Sequence, residues 1–358
     1  MSRANLTRRT LVGIAAVLPA TAAAQEAGKA QGKSPARTTA IVVPFDTAGH
    51  LDASGDFWHV PSEIWAYRPQ NSHVRKRVIA SLFSAQYGLS VTDANRAVFD
   101  RRINLLLADN AGGVRPDVRI GSEVAAYPPT GVNGHTSMTV ELPIYPATPV
   151  TGARIPLDVD AATKGRVHLI PAEGVSVISD LDDTVKDTGV LDKRRLWEST
   201  FFLPFKAVPG MADLVTRLAG SSGGVHYVSS TPWHLYTPIR EWLATDAFPV
   251  SSLHLKQIRL KDSTIFDILK GPEVMKPPVI AGLIQRWPKR TFILLGDSGE
   301  KDPEVYADAA KRFPNQVARI LIRRAPGDAS AASRFTEVFA GIERSKWQVF
   351  DTAADVTI

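Results

Sequence analysis

The chain predicts an α/β protein: a parallel sheet with helices on both faces, preceded by a smaller β-rich, sandwich-like region carrying a helical hairpin. Three observations carry this expectation. From Gly174 onward, apolar runs of strand length alternate with helix-period segments, the order that a parallel sheet with crossover helices requires. Ahead of them, residues 39–172 hold short strand candidates separated by Gly, Pro and Asn. Within that stretch, two segments repeat apolar residues at helical spacing. A length of 358 residues, 44% hydrophobic and 22% charged, suits a globular protein and favours two domains over one.

The first 24 residues stand outside the fold. Arg3, Arg8 and Arg9 come without an acid, then an apolar run from Leu11 ends in Ala22-Ala23-Ala24 before Gln25, the layout of a cleaved export signal. Thr7-Arg8-Arg9-Thr10-Leu11 resembles the twin-arginine signal, which implies export in the folded state and a periplasmic location. The run is short for a bilayer span, so the mature chain is expected to hold no integral span. A retained anchor or a disordered tail is the other reading. Cleavage removes three arginines from a chain of formal charge +6, halving it. So mild a basic balance gives no warrant for nucleic acid as a partner. The absence of cysteine excludes disulfides, thiolate metal sites and cysteine nucleophiles together. Residues 25–38, rich in Gly, Lys, Ala, Ser and Pro, read as a disordered linker.

The region 39–172 opens with a strand-like run from Thr39 to Val43, and Trp58, Ile64 and Trp65 follow among turn residues. Ser72 is a candidate N-cap for a helix whose apolar face is Val74, Val78, Ile79, Leu82 and Phe83. A second helical segment spans about Asp93 to Leu107. Strand candidates then run from Ser137 to Ile144, Arg154 to Val159 and Gly165 to Ile170.

In the region 173–350 the strand candidates are Val175–Ser179, Val225–Val228, Thr291–Leu295 and Ala318–Ile322. Helical patterns lie between and after them, at Met211–Leu218, Pro232–Ala244, Pro277–Trp287 and Pro303–Phe313. Ligand sites of such sheets lie beyond the carboxyl ends of the strands, and there the chain concentrates its polar residues. The first strand runs into Asp180-Leu-Asp182-Asp-Thr184. A turn after Asp180 would leave Asp180 and Asp182 converging on one point, where two carboxylates call for a cation between them. The second strand ends at Ser229, Ser230 and Thr231, and the third in Gly296-Asp297-Ser-Gly-Glu-Lys-Asp302. Lys276 stands just before the helix that feeds the third strand. Carboxylates, a hydroxyl and a lysine at one sheet edge suit phosphoryl transfer.

The order Asp-Leu-Asp-Asp-Thr, Ser, Lys, Gly-Asp-x4-Asp resembles the haloacid dehalogenase superfamily, whose Rossmann-like sheet matches the predicted fold. More narrowly, Ser179-Asp-Leu-Asp-Asp-Thr-Val-Lys-Asp-Thr-Gly189, Tyr227-Val-Ser-Ser-Thr-Pro-Trp233 and Leu295-Gly-Asp-Ser-Gly-Glu-Lys-Asp-Pro-Glu-Val-Tyr306 resemble the actin-patch-associated phosphatidate phosphatase catalytic-domain family. The resemblance covers about Gly165 to Arg323 and implies a Mg2+-dependent phosphoric monoester hydrolase acting on phosphatidate or a related lipid phosphate. It implies Asp180 as the nucleophile that becomes an aspartyl phosphate and Asp182 as acid, then base, the latter role needing a carboxyl of raised pKa. Mg2+ would be held by Asp180, the main-chain carbonyl of Asp182 and Asp297, with Asp302 binding or orienting a water. Ser229 and Lys276 would meet the phosphoryl group, with Lys256, Lys261 and Lys270 the competing lysines. Thr184 would steady the first loop, and Thr184, Ser230 and Trp233 are placed on the substrate side. Trp233, His234 and Tyr236 are candidates for lining the cleft. The aromatics Trp197, Phe201, Phe202 and Phe205 read as core first and as acyl contacts second.

Two other patterns are decoys. Gly296-Asp-Ser-Gly299 matches a serine-protease run but follows an apolar strand and precedes a helix-opening Asp-Pro. The eight histidines form no His-Glu-x-x-His zinc motif. Two rival functions stay open: a phosphatase of soluble monoesters, and a lipid- or phospholigand-binding module without catalysis. Peripheral contact with a membrane surface accompanies the lipid reading.

Overall fold

In the computed structural model of the protein, residues 39–144, 152–159, 164–221, 223–257 and 274–358 are described. The expected signal and linker lie outside the described residues, as do Lys261 and Lys270. The first region contributes β1 (Ile41–Pro44), β2 (Thr47–Leu51), β3 (Phe57–Arg68), α1 (His73–Tyr87), α2 (Arg96–Leu106), β4 (Asp109–Asn110), β5 (Asp117–Ile120), β6 (Glu123–Ala126), β7 (His135–Pro143), β8 (Arg154–Asp158) and β9 (Lys164–Leu169). Among the described residues these strands form one nine-stranded sheet, ordered β1-β3-β2-β9-β8-β5-β6, with β4 and β7 also paired to β3.

Two expectations for this region need correction. Trp58, Ile64 and Trp65 do not lie among turns but along the long strand β3, which Pro61 obscured. That proline pairs with β7 on one side and falls, on the other, between the stretches bonded to β1 and β2, where a missing N–H costs little. The helix at Ser72 forms as expected, the Ser72 hydroxyl accepting from the Arg75 N–H at 3.3 Å. Its buried side chains, however, are Lys76, Ile79 and Phe83, while Val74, Val78 and Leu82 face water. Counting apolar residues makes the buried face too wide on one side and misses Lys76 on the other, which buries its stem and reaches Asp100 at 3.4 Å.

The second region contributes β10 (Gly174–Ser179), α3 (Lys193–Phe201), α4 (Met211–Ala219), β11 (Gly224–Pro232), α5 (Tyr236–Thr245), β12 (Ser252–Lys256), α6 (Lys276–Arg286), β13 (Arg290–Asp297), α7 (Asp302–Arg312), β14 (Val317–Arg323), α8 (Ala332–Val338) and β15 (Trp347–Phe350). The strands pair in parallel in the order β12-β11-β10-β13-β14-β15. The four predicted strands are its centre, and the edge strands β12 and β15 are additions. The fold class is therefore as the sequence predicts, a parallel α/β sheet with a β-rich region ahead of it.

Thr38–Ile358 forms one compact unit, because the two regions share a core. Phe83 of α1 meets Trp197, Phe201 and Phe202 at ring-centroid distances of 5.4, 5.8 and 5.4 Å, and Phe99 of α2 meets Phe202 at 5.0 Å. Those α3 aromatics are thus core, the first of their two readings. Arg102 closes the seam, donating to the carbonyls of Thr200 and Leu203 at 2.8 Å each.

A polar seam runs beside β12. His168 lies 2.6 Å from the Ser251 hydroxyl, and Ser252 stands 2.7 Å from His226 and 2.9 Å from His254. Burial, aided by Arg154 and Arg290 near His168 and by Arg286 near His226 and His254, depresses all three, His168 and His254 to about 4. The folded protein holds them neutral, whereas the unfolded chain protonates them near its ordinary pKa of about 6.5. Their contribution to stability is present above that value and drains away as pH falls toward 4. The thermal midpoint is expected to decline steadily between pH 7 and pH 4.5; a flat profile over that window would refute the assignment.

Candidate active site

Strand registers bring the site together. Ser179 is paired with Leu295 on one side and Tyr227 on the other, so the ends of β10, β11 and β13 lie abreast, about 5 Å apart. Asp180 leaves β10 with its N–H bonded to the Leu295 carbonyl at 2.9 Å. Asp297 ends β13 and Ser229 lies near the end of β11. Lys276 opens α6, seated by the buried Ile280, Leu283 and Ile284. Asp302 opens α7, with Pro303 behind it where the missing N–H is harmless.

The first cluster centres on Lys276. Its ammonium stands 3.0 Å from Asp180, 2.5 Å from Asp302 and 3.1 Å from Glu300. Thr184 donates to Asp180 at 3.4 Å, a steadying contact. Carboxylate oxygens of Asp180, Asp297 and Asp302 lie within 4.8 Å of one another, all buried. Asp297 Oδ1 accepts from the Gly299 and Glu300 N–H groups at 2.6 and 3.2 Å, while its Oδ2 is buried without a hydrogen-bond partner among the described residues. Burial lifts Asp180 and Asp297 well above the usual carboxylate range, and the acids around them add to it against the pull of Lys276. Three buried carboxylates with an unused oxygen fit a hard divalent cation, which takes oxygen ligands and relieves their repulsion.

The second cluster centres on Asp182, whose carboxylate is not part of the Asp180–Asp297–Asp302 group although its charge acts on Asp180. Its Oδ1 stands 2.6 Å from the Lys186 ammonium and accepts from Thr188 at 2.9 Å; its Oδ2 accepts from Ser229 at 3.1 Å and Thr231 at 2.9 Å. The expectation that the setting raises this carboxyl is overturned. Burial alone would raise it, but Lys186 and the hydroxyls of Thr231 and Thr188 outweigh burial and hold it at about 2. Lys186 is itself buried, with the Phe205 ring 4.9 Å away.

Between the clusters, Asp183 takes a left-handed φ of 52° and accepts from the N–H groups of Thr188, Gly189 and Val190 at 2.9, 2.8 and 2.6 Å. This locks the loop that carries both aspartates. Sequence reading gave no role to Asp183, Lys186, Thr188 and Glu300, and named Thr231 only as a polar residue at the end of its strand. The Asp-Asp-Thr-Val-Lys run contains the first two, but only the turn shows where they point.

Ser230 keeps a buried hydroxyl without a hydrogen-bond partner among the described residues. Trp233 lies in an aromatic group, 4.5 Å from both the His135 and His234 rings. His234 is held neutral by burial, pushed down to about 3, and stands apart from the carboxylate group. Among the competing lysines, Lys256 is half-buried at the end of β12 while Lys276 reaches Asp180.

Gly296 is needed for lack of room. A Cβ there would come within 2.5 Å of Asp302 Oδ2 and 2.7 Å of the Tyr306 ring. Gly296→Ala is expected to displace Asp302 from Lys276 and to cost roughly 1–3 kcal/mol as an overpacked site does. Urea unfolding should register the loss, and an unaltered midpoint would contradict the packing argument.

A parallel α/β sheet with an acidic loop after its first strand, a hydroxyl after the second, a helix-opening lysine and an acidic loop after the third is the class of site that the haloacid dehalogenase resemblance implies. Residues 175–324 match the model of the family described as phosphatidate phosphatase APP1, catalytic domain. The resemblance read from the motifs holds over that region. The chain is 32% identical over 163 residues to the phosphatidate phosphatase APP1 of Saccharomyces cerevisiae, covering 42% of this chain and 26% of the yeast protein. It is 30% identical over 171 residues to an uncharacterised protein of Schizosaccharomyces pombe, covering 47% of this chain and 28% of that one. The chain thus spans little more than a quarter of the length of these curated relatives.

Proposed function

We propose that the protein is a Mg2+-dependent phosphatase that hydrolyses a phosphomonoester, phosphatidate or a related lipid phosphate, through an aspartyl-phosphate intermediate. The observation that carries the reading is the convergence of Asp180, Lys276, Asp297 and Asp302 at the carboxyl edge of the sheet. Asp180, Asp297 and Asp302 would hold the Mg2+, which supplies charge neutralisation for the phosphoryl group. The Asp180 carboxylate attacks phosphorus as the ester P–O bond breaks, and Lys276 balances negative charge on both. Asp182 is ionised in the setting described, the state in which it takes a proton from the water that hydrolyses the aspartyl phosphate. To protonate the leaving oxygen it must first gain a proton, and the negative phosphate of an arriving substrate favours that by like-charge repulsion.

The lipid preference is supported by the relative's name and family. Peripheral membrane contact is supported by α1, which shows Val74, Val78 and Leu82 to water beside Arg75 and Arg77 and contains no acid; such a surface suits an anionic bilayer. Among the described residues no helix is long and apolar enough to cross a membrane. Export to the periplasm is proposed from the first 24 residues alone, and recovery of the protein from the cytoplasm after cell fractionation would refute it.

Turnover of phosphatidate in mixed micelles, set against soluble sugar and nucleotide phosphates, tests the substrate. Release should require Mg2+, stop with a chelator and favour phosphatidate. Preference for the soluble set would replace the lipid by a small monoester, and no release from either would leave the binding-module reading. Sedimentation with anionic but not neutral vesicles checks the membrane contact.

A further inference from the structure

A cavity of about 470 Å³ opens beside the edge strand β12, between the α/β region and the N-terminal region. Its walls are mainly aromatic and aliphatic: Phe45, Trp233, Tyr236, Leu255, Met275 and Val279. It adjoins the phosphate end of the sheet at two points. Leu255 is the register partner of Ser229, one strand spacing of about 5 Å away, and Met275 directly precedes Lys276. A second cavity of about 340 Å³ shares Phe45, Glu63, Leu253 and His254 with the first, but its lining turns polar, with Asp46, Thr47, Ser252 and Arg286. The first cavity follows β12 from Leu253 to Lys256, four residues or roughly 13 Å, and ends where the polar lining begins.

The mainly aromatic and aliphatic wall favours a hydrocarbon chain, and Glu63, His254, Lys256 and Gln257 form the polar part of its lining. Trp233 keeps a buried indole N–H without a hydrogen-bond partner among the described residues, a donor suited to a single ester carbonyl. We propose that this cavity is the acyl-chain site of the lipid phosphate, with the chain laid along β12 and its ester near Trp233. The assignment rests on the phosphatase reading above and adds to it the place and chemistry of the tail.

Val279→Trp, in the full chain, fills the cavity without touching the carboxylate clusters, and Leu255→Trp repeats the test should the first variant not fold. Two measurements are needed. One is the ratio of kcat/KM for dioleoyl phosphatidate to that for p-nitrophenyl phosphate, which has no chain. The other is binding of a pyrene-acyl phosphatidate to Asp180→Asn protein with and without the filling substitution, which needs no turnover. Each methylene shut out weakens binding roughly fourfold, so both quantities are expected to fall at least about tenfold. An unchanged ratio with unchanged lipid binding would overturn the proposal, as would an equal loss on both substrates. If the filled variant loses lipid binding while the parent releases phosphate from nothing, the cavity assignment stands and the phosphatase reading falls.

Discussion

Asp180→Asn is expected to abolish phosphate release, by at least about four orders of magnitude as loss of a covalent nucleophile does, while the protein stays folded. The amide fills the same space but cannot form the acyl phosphate. Folding should not suffer, because burial already disfavours the charged carboxylate that is removed. Lys276 keeps Asp302 and Glu300 as partners. Phosphate release at saturating substrate, read together with the thermal midpoint, checks both halves. Full activity in the folded variant would remove Asp180 from the chemistry.

The second large effect is at Lys276, and there stability falls along with activity. Its ammonium is 1% exposed and lies among three carboxylates, those of Asp180, Glu300 and Asp302. Lys276→Met preserves the length of the stem but leaves those acids without their cation. Breaking a buried pair by removing one partner costs about 3–5 kcal/mol, and here three acids depend on one lysine. Chemical denaturation should show a loss of that order, with phosphate release falling at least about a hundredfold. A variant as stable as its parent would mean that Lys276 is not the keystone of the cluster.

The central strands, most of the helices and the ends that carry Asp180, Ser229, Asp297 and Asp302 were legible because each strand is an apolar run that stops at a polar residue. The resemblance singled out Lys276 from its neighbours. What stayed hidden depends on direction. Ser252–Lys256 alternates polar and apolar residues, but over only five positions with two leucines, too short a run to separate β12 from a loop. Lys186 and Thr188 lie in a turn, and only the left-handed backbone at Asp183 swings them onto Asp182. The pKa of Asp182 was misjudged for the same reason: its neighbours in space, Lys186, Thr188 and Thr231, were not recognised as neighbours. On α1 the apolar count took Val74, Val78 and Leu82 together with Ile79 and Phe83, and only the last two, with Lys76, are buried.

The packing of Phe83 and Phe99 against Trp197 and Phe202 has a consequence for descent. The α3 helix follows directly on the loop that carries the aspartates, and its Ser199 hydroxyl donates to the Thr188 carbonyl at 2.9 Å. A change of size on the α1–α2 face therefore presses on a helix one hydrogen bond away from the Asp182 cluster. The N-terminal region and the loop are not free to drift separately. In a set of homologous sequences, substitutions at Phe83 and Phe99 should travel with compensating ones at Trp197 and Phe202, and recombination that exchanges one region alone should be selected against.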